Sequence, residues 1–146
     1  LLANDWTRTL QRKQYDGVLC FAALHHLPAY STRLHLVRQV RGLLAPGALF
    51  IHSNWQFQHS PKLLARVQPW QQVGISPSDL EAGDTLLDWR YSLPGQPEQV
   101  GYRYVHLFSE QELAQLAAES GFGVLESFNS DGSGGRLGLY QRWQAL

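Results

Sequence analysis

The chain has 146 residues, 44% hydrophobic and 12% aromatic, the size and composition of one globular domain able to bury a core. Its apolar runs, such as GVLCFAAL at 17–24, fall far short of the ~18 residues a membrane-spanning helix needs, and no basic-then-apolar leader opens the sequence, so a cytoplasmic location away from membranes is expected. Twelve Lys/Arg balance twelve Asp/Glu, but residues 1–70 hold eight basic side chains against Asp5 and Asp16, and residues 71–146 hold four against ten acids; either the two halves interleave on folding or a basic face results.

The opening LANDWTRTLQRK can be read as an N-terminal helix. Residues 16–24 form a continuous apolar run, the pattern of a strand buried on both faces of a parallel sheet. Cys20 lies inside that run with no second cysteine in the chain, which excludes an internal disulfide and suits core packing. Ser31 or Thr32 can then cap a helix with Leu36, Val37, Val40, Leu43 and Leu44 on one face and Arg33, Arg38 and Arg41 mostly opposite. Pro46 and Gly47 stop it, and ALFIHS starts a second apolar strand near residue 48, giving a βαβ unit with a right-handed crossover.

Residues 53–103 break this rhythm and are expected to form an insertion within a single 1–146 domain. A short helix-like KLLARVQPW lies within it, and Trp55, Phe57, Trp70 and Trp89 need burial. Regularity returns at Ser109, which with Glu112 makes a capping box for a helix of Leu113, Leu116 and Ala117 ending at Gly121. GVLESF is a strand, NSDGSGG a hairpin loop, and RLGLYQRW a closing antiparallel strand. A phosphate cradle at those glycines is disfavoured because no helix follows to present its N-terminus.

This order of elements, with YDGVLCFAALHHL and LLAPGALFIHSNW, resembles the C-terminal half of class I S-adenosylmethionine-dependent methyltransferases. Ala48 stands where that family usually has the second glycine of L-x-P-G-G. GDTLLDWR at 83–90 and RYVHLFSEQEL at 103–113 are similar to stretches of the enzymes that methylate the carboxymethyl group of tRNA wobble uridine. The resemblance implies an α/β, Rossmann-like sheet, mostly parallel, with a C-terminal antiparallel hairpin. The family's glycine-rich loop is not among these residues, so its first two strands are expected to be missing. Asp5 and Trp6 then match the acidic position that contacts the cofactor's adenine.

The resemblance implies S-adenosyl-L-methionine as cofactor, with Cys20, Phe21 and Ala22 forming one wall of its site. His25 and His26 follow the first strand, where ligands collect in open α/β sheets. Each can instead be a packed or locally bonded histidine. His26, Arg90, Arg103 and His106 are the candidate catalytic and orienting residues, and His25, Asn54, Trp55, Asp88, Trp89 and Tyr104 are candidate acceptor contacts. An arginine fork suits a carboxylate, which is ionised at neutral pH and needs no general base; no metal is implied. The acceptor is either tRNA, with the small activating subunit some of those enzymes use, or a small molecule under an aromatic lid. A non-catalytic methyltransferase-like module is the remaining reading.

Overall fold

A computed structural model describes Leu10 and residues 15–146 of the chain. Strand β1 (Tyr15–Phe21), helix α1 (Tyr30–Leu43) and strand β2 (Leu44–Trp55) form the expected unit, with β1 parallel to β2 and Phe21 opposite Ser53. Helix α3 (Glu110–Ser120) is followed by the hairpin β6 (Phe122–Ser130) and β7 (Gly138–Ala145). Strand β7 is antiparallel to both β2 and β6, so the sheet order is β1-β2-β7-β6. This mixed sheet, with one parallel and two antiparallel pairs among the described strands and α1 and α3 packed on it, carries the C-terminal antiparallel hairpin expected from the sequence.

Three local expectations change. Strand β1 is not buried on both faces: it is the sheet's edge among the described residues, and Leu19 is 65% and Phe21 51% exposed. Strand β2 begins at Leu44 rather than near residue 48, because the register slips between Tyr15 opposite Leu44 and Gly17 opposite Leu49, where Pro46 and Gly47 (φ 81°) form an irregular turn of strand. Helix α1 therefore ends at Leu43, before proline can disturb it. At its start neither Ser31 nor Thr32 caps the helix; the Tyr30 N–H donates to Glu81 Oε1 at 2.7 Å.

The main core joins Leu24, Val37, Val40, Leu44 and Phe50 to Leu113, Leu116, Phe122 and Trp143. Trp143 has no exposed surface, and its ring meets Phe50 edge-on at 5.7 Å. The arginines of α1 do not face solvent as a set. Arg33 is fully buried, Arg38 donates to the Glu119 carbonyl, and Arg41 donates to the carbonyls of Gly121, Leu44 and Leu146. Arg38 and Arg41 bind α1 to the carbonyl end of α3, where cations are favoured.

The insertion folds as a second, antiparallel sheet. Helix α2 (Pro61–Leu64) is a single turn capped by Ser60, shorter than the apolar pattern suggested, and is followed by β3 (Val67–Gln68). Strands β4 (Asp84–Tyr91) and β5 (Gln99–His106) pair with each other, and β3 joins β4 to give the order β3-β4-β5. Phe57, Leu87 and Val105, with Leu63 and Leu107 against them, form its small core. No helix among the described residues is long and apolar enough to cross a membrane.

Candidate functional site

Strands β1 and β2 end side by side, and the chain leaves β1 through Ala22, whose φ of 50° turns it off the sheet while its N–H donates to the Ser53 carbonyl at 3.1 Å. Phe21, Ala22 and Ala23 are left exposed at this carboxyl end. The next turn carries the two histidines in different roles. His25 is fully buried, stacks on Trp55 at 5.2 Å and accepts the Trp55 N–H at its Nδ1 at 3.3 Å. Burial first, then the field of His26, pulls its pKa down to about 3, so it is neutral at physiological pH. His26 Nδ1 lies 2.9 Å from the Tyr104 carbonyl, which makes it the donor that ties this turn to β5.

The hairpin β4–β5 thus sits beside the carboxyl ends of the parallel pair, and a cleft of about 240 Å³ opens between them. Trp55, Leu63 and Leu87 supply apolar surface, Trp89 adds an aromatic face, and Lys62, Arg66, Arg90, Arg103 and Asp88 supply the charge. The Arg103 guanidinium stands over the Trp55 ring at 5.6 Å. The Asp88 side chain is only 2% exposed; it accepts from Arg90 Nε at 2.8 Å and faces Arg66 Nη1 at 3.6 Å.

At its Asp84–His106 end the hairpin is clamped to the main body. Arg33 Nη2 pairs with Glu81 at 2.5 Å and Glu112 at 3.3 Å. His106 lies between Asp84 (2.7 Å) and Glu112 (2.9 Å), and the Tyr104 hydroxyl donates to Asp84 at 2.5 Å. Burial opposes charge on His106, but its hydrogen bonds to Glu112 and Asp84 outweigh burial and raise its pKa. Burial likewise acts upward on Asp84 and is outweighed by the hydrogen bonds from Tyr104 and His106, which lower it. Glu81, Asp84 and His106 bring donor atoms within 4.8 Å of one another, a spacing that suits a metal ion. Arg33 and the two engaged nitrogens of His106 already satisfy this cluster, so the structure reads as an internal ion-pair clasp.

Of the residues singled out from sequence, Trp55, Asp88, Trp89, Arg90 and Arg103 meet in the cleft, with His25 and His26 packed against its Trp55 wall. Tyr104 and His106 belong to the clasp. Asn54 is fully buried, its amide 3.1 Å from His52 Nδ1, and does not line the cleft. Cys20 packs against the core, and burial raises its thiol pKa. Asp5 and Trp6 lie outside the described residues. Lys62 and Arg66 also line the cleft and were not among the site residues read from sequence. Sequence reading also missed Glu81, Arg33 and Glu112 as the clasp, whose only sequence signal is the Ser109–Glu112 capping box.

A family profile described as a methyltransferase domain matches residues 3–127. No curated protein matches the sequence. The structure is similar to an S-adenosylmethionine-dependent methyltransferase from Methanosarcina mazei (TM-score 0.62, 19% identity, 94% of this chain and 62% of that one). It is also similar to one from Clostridium acetobutylicum (TM-score 0.66, 10% identity, 93% and 60%). A third is 1,6-didemethyltoxoflavin-N1-methyltransferase from Burkholderia thailandensis, solved with its acceptor and S-adenosylhomocysteine (TM-score 0.58, 16% identity, 93% and 46%). This chain therefore spans about half to three fifths of the length of these proteins.

Proposed function

Because this chain belongs to the methyltransferase-domain family, we propose that the protein carrying it transfers a methyl group from S-adenosylmethionine to a small molecule seated in the Trp55–Arg103 cleft. The observation that carries this reading is that Trp55, the last residue of β2, walls the cleft, and β2 ends beside β1, where open α/β sheets collect their ligands. The residues fit one side of a nucleoside: Phe21 offers an exposed ring and Ala22 and Ala23 an exposed backbone. When bound, the cofactor supplies an electrophilic methyl group on sulfonium for an in-line displacement.

The chain's own residues then have to align the acceptor and keep water away from it. Trp55, Trp89 and Leu87 line its seat, and Arg103 holds its polar end. An acceptor ionised at neutral pH needs no proton removed. For one that must lose a proton, His26 is the base, since its Nδ1 is engaged by the Tyr104 carbonyl and its Nε2 makes no hydrogen bond among the described residues.

The small-molecule reading is favoured over tRNA by where the positive charge goes. A continuous phosphate-binding face would need the α1 arginines or Lys62 with Arg66, yet Arg33, Arg38 and Arg41 are spent on Glu81, Glu112 and the end of α3, and Lys62 and Arg66 line the cleft itself, with Arg66 facing Asp88. The test uses the full-length protein with methyl-labelled cofactor against a pool of small metabolites and against bulk tRNA, at low and high salt. Label in metabolites only is the expected result; label in tRNA, lost steeply with salt, would replace this acceptor by the nucleic acid.

A further inference from the structure

The cleft carries more positive charge than its own acid can use. Lys62, Arg66, Arg90 and Arg103 line it against a single carboxylate, Asp88. Asp88 is shared by Arg66 and Arg90, and Arg90 is further paired with Glu98 at 3.4 Å. That leaves Arg103 and Lys62 without a carboxylate among the described residues. Arg103 is the more telling of the two. Its guanidinium carbon stands over the Trp55 ring at 5.6 Å, the side chain is half-buried, and its five N–H donors meet no acceptor among the described residues. Its neighbour His25 takes the Trp55 N–H at its Nδ1 and offers Arg103 no negative charge.

We propose that this cleft is a carboxylate-recognition site: Arg103, with Lys62 beside it, binds the carboxylate of a small aromatic acid whose ring lies between Trp55 and Trp89. The planar fork of Arg103 matches a carboxylate two bonds at a time, and its place over the Trp55 ring holds it in the cleft before the ligand arrives. A cleft of about 240 Å³ walled by Trp55, Trp89, Leu63 and Leu87 suits one substituted ring. Asp88 sets the polarity of the far side, holding Arg66 and Arg90 back from the ligand. This names the acceptor class of the reading above and rests on that reading for its catalytic meaning, although acid binding itself needs no cofactor.

The experiment follows the indole N–H resonances of the five tryptophans in this chain during titration with benzoate, with benzamide as its uncharged analogue, and with inorganic phosphate, all at equal ionic strength. Benzoate is expected to shift the Trp55 and Trp89 resonances saturably, leaving Trp143 of the core unmoved. Benzamide should bind at least about tenfold more weakly, the loss of one charged fork. Arg103→Gln should weaken benzoate by about tenfold or more, with Arg103→Lys between the two. Lys62→Gln, at an exposed position, should weaken it several-fold with the spectrum otherwise intact. Equal binding of benzoate and benzamide, tighter binding of phosphate than of benzoate, or full benzoate affinity in both Arg103→Gln and Lys62→Gln would each overturn the proposal. S-adenosylhomocysteine titrated into the full-length protein separates the two readings. Cofactor binding without a benzoate response leaves the methyltransferase and removes the acid site, and the reverse leaves the acid site alone.

Discussion

Glu81 and Arg33 pair at 2.5 Å although 48 residues separate them, and the second oxygen of Glu81 takes the Tyr30 N–H at the start of α1. One side chain of the insertion therefore caps a helix of the main body and neutralises its buried arginine. Replacing Glu81 by Ala removes both contacts and should cost about 1–3 kcal/mol in urea unfolding, with Glu112 still facing Arg33. Glu81→Gln keeps an oxygen for the helix end and should lose about half as much. Equal losses in the two variants would show that the cap contributes nothing.

The titrating groups divide stability into two limbs. His25 and His52 are held near 3 by burial, against an ordinary value of 6.5. The unfolded chain therefore binds more protons than the folded one between these values, and stability falls as pH drops from about 6.5 towards 3, by up to ~1.4 kcal/mol per unit for each histidine. His106 has the opposite sign. Its raised pKa adds stability that is fully present below 6.5 and is lost as pH rises through its folded value. His106→Gln should therefore flatten the alkaline limb of stability against pH and leave the acid limb unchanged; a change confined to the acid limb would contradict the assignment.

The parts of this fold that could be read from sequence are those set by neighbours along the chain. The apolar run of β1, the amphipathic α1, the Ser109 cap with Gly121 closing α3, and the NSDGSGG hairpin all carry their own signals within a few residues. The start of α1 could not be read, because its cap comes from Glu81, 51 residues away. Nor could the burial of Arg33, since the acids that make it tolerable lie in the insertion and in α3. In the site, Asp88, Trp89, Arg90 and Arg103 came from motif resemblance, as did Trp55 at the end of LLAPGALFIHSNW. Lys62 and Arg66 resisted, since a cation on a one-turn helix or in the turn after it looks like any surface charge until the hairpin is folded beside it.

Gly83 opens β4 at φ +95°, and a Cβ there would stand 2.7 Å from the Leu107 carbonyl oxygen. Neither the backbone angle nor the close approach tolerates a side chain. Gly83→Ala should destabilise the protein by about 1–3 kcal/mol and loosen the Asp84–His106 contact next to it. Proteolysis should then cut the hairpin between residues 84 and 106 faster; an unchanged rate and midpoint would show that the turn can move aside.

The two cleft arginines should separate in kinetics. Arg90 is held by Asp88 and Glu98 and is about half exposed, whereas Arg103 offers its donors to the cleft. Arg103→Ala should raise the KM for an acid acceptor by about tenfold or more, with a smaller change in kcat, while Arg90→Ala should change either by less than about threefold. A larger effect from Arg90→Ala would move the polar end of the acceptor to the Asp88 side of the cleft.

The central claim is that the carboxyl ends of β1 and β2 present cofactor and acceptor to each other, and a crystal structure of the full-length protein with S-adenosylhomocysteine tests it most directly. The account predicts the nucleoside against Phe21–Ala23 and the sulfur directed into the cleft between Trp55 and Arg103. The product bound instead against the Asp84–His106 clasp, or at the turn of residues 131–137, with the Trp55–Arg103 cleft turned away from its sulfur, would contradict it.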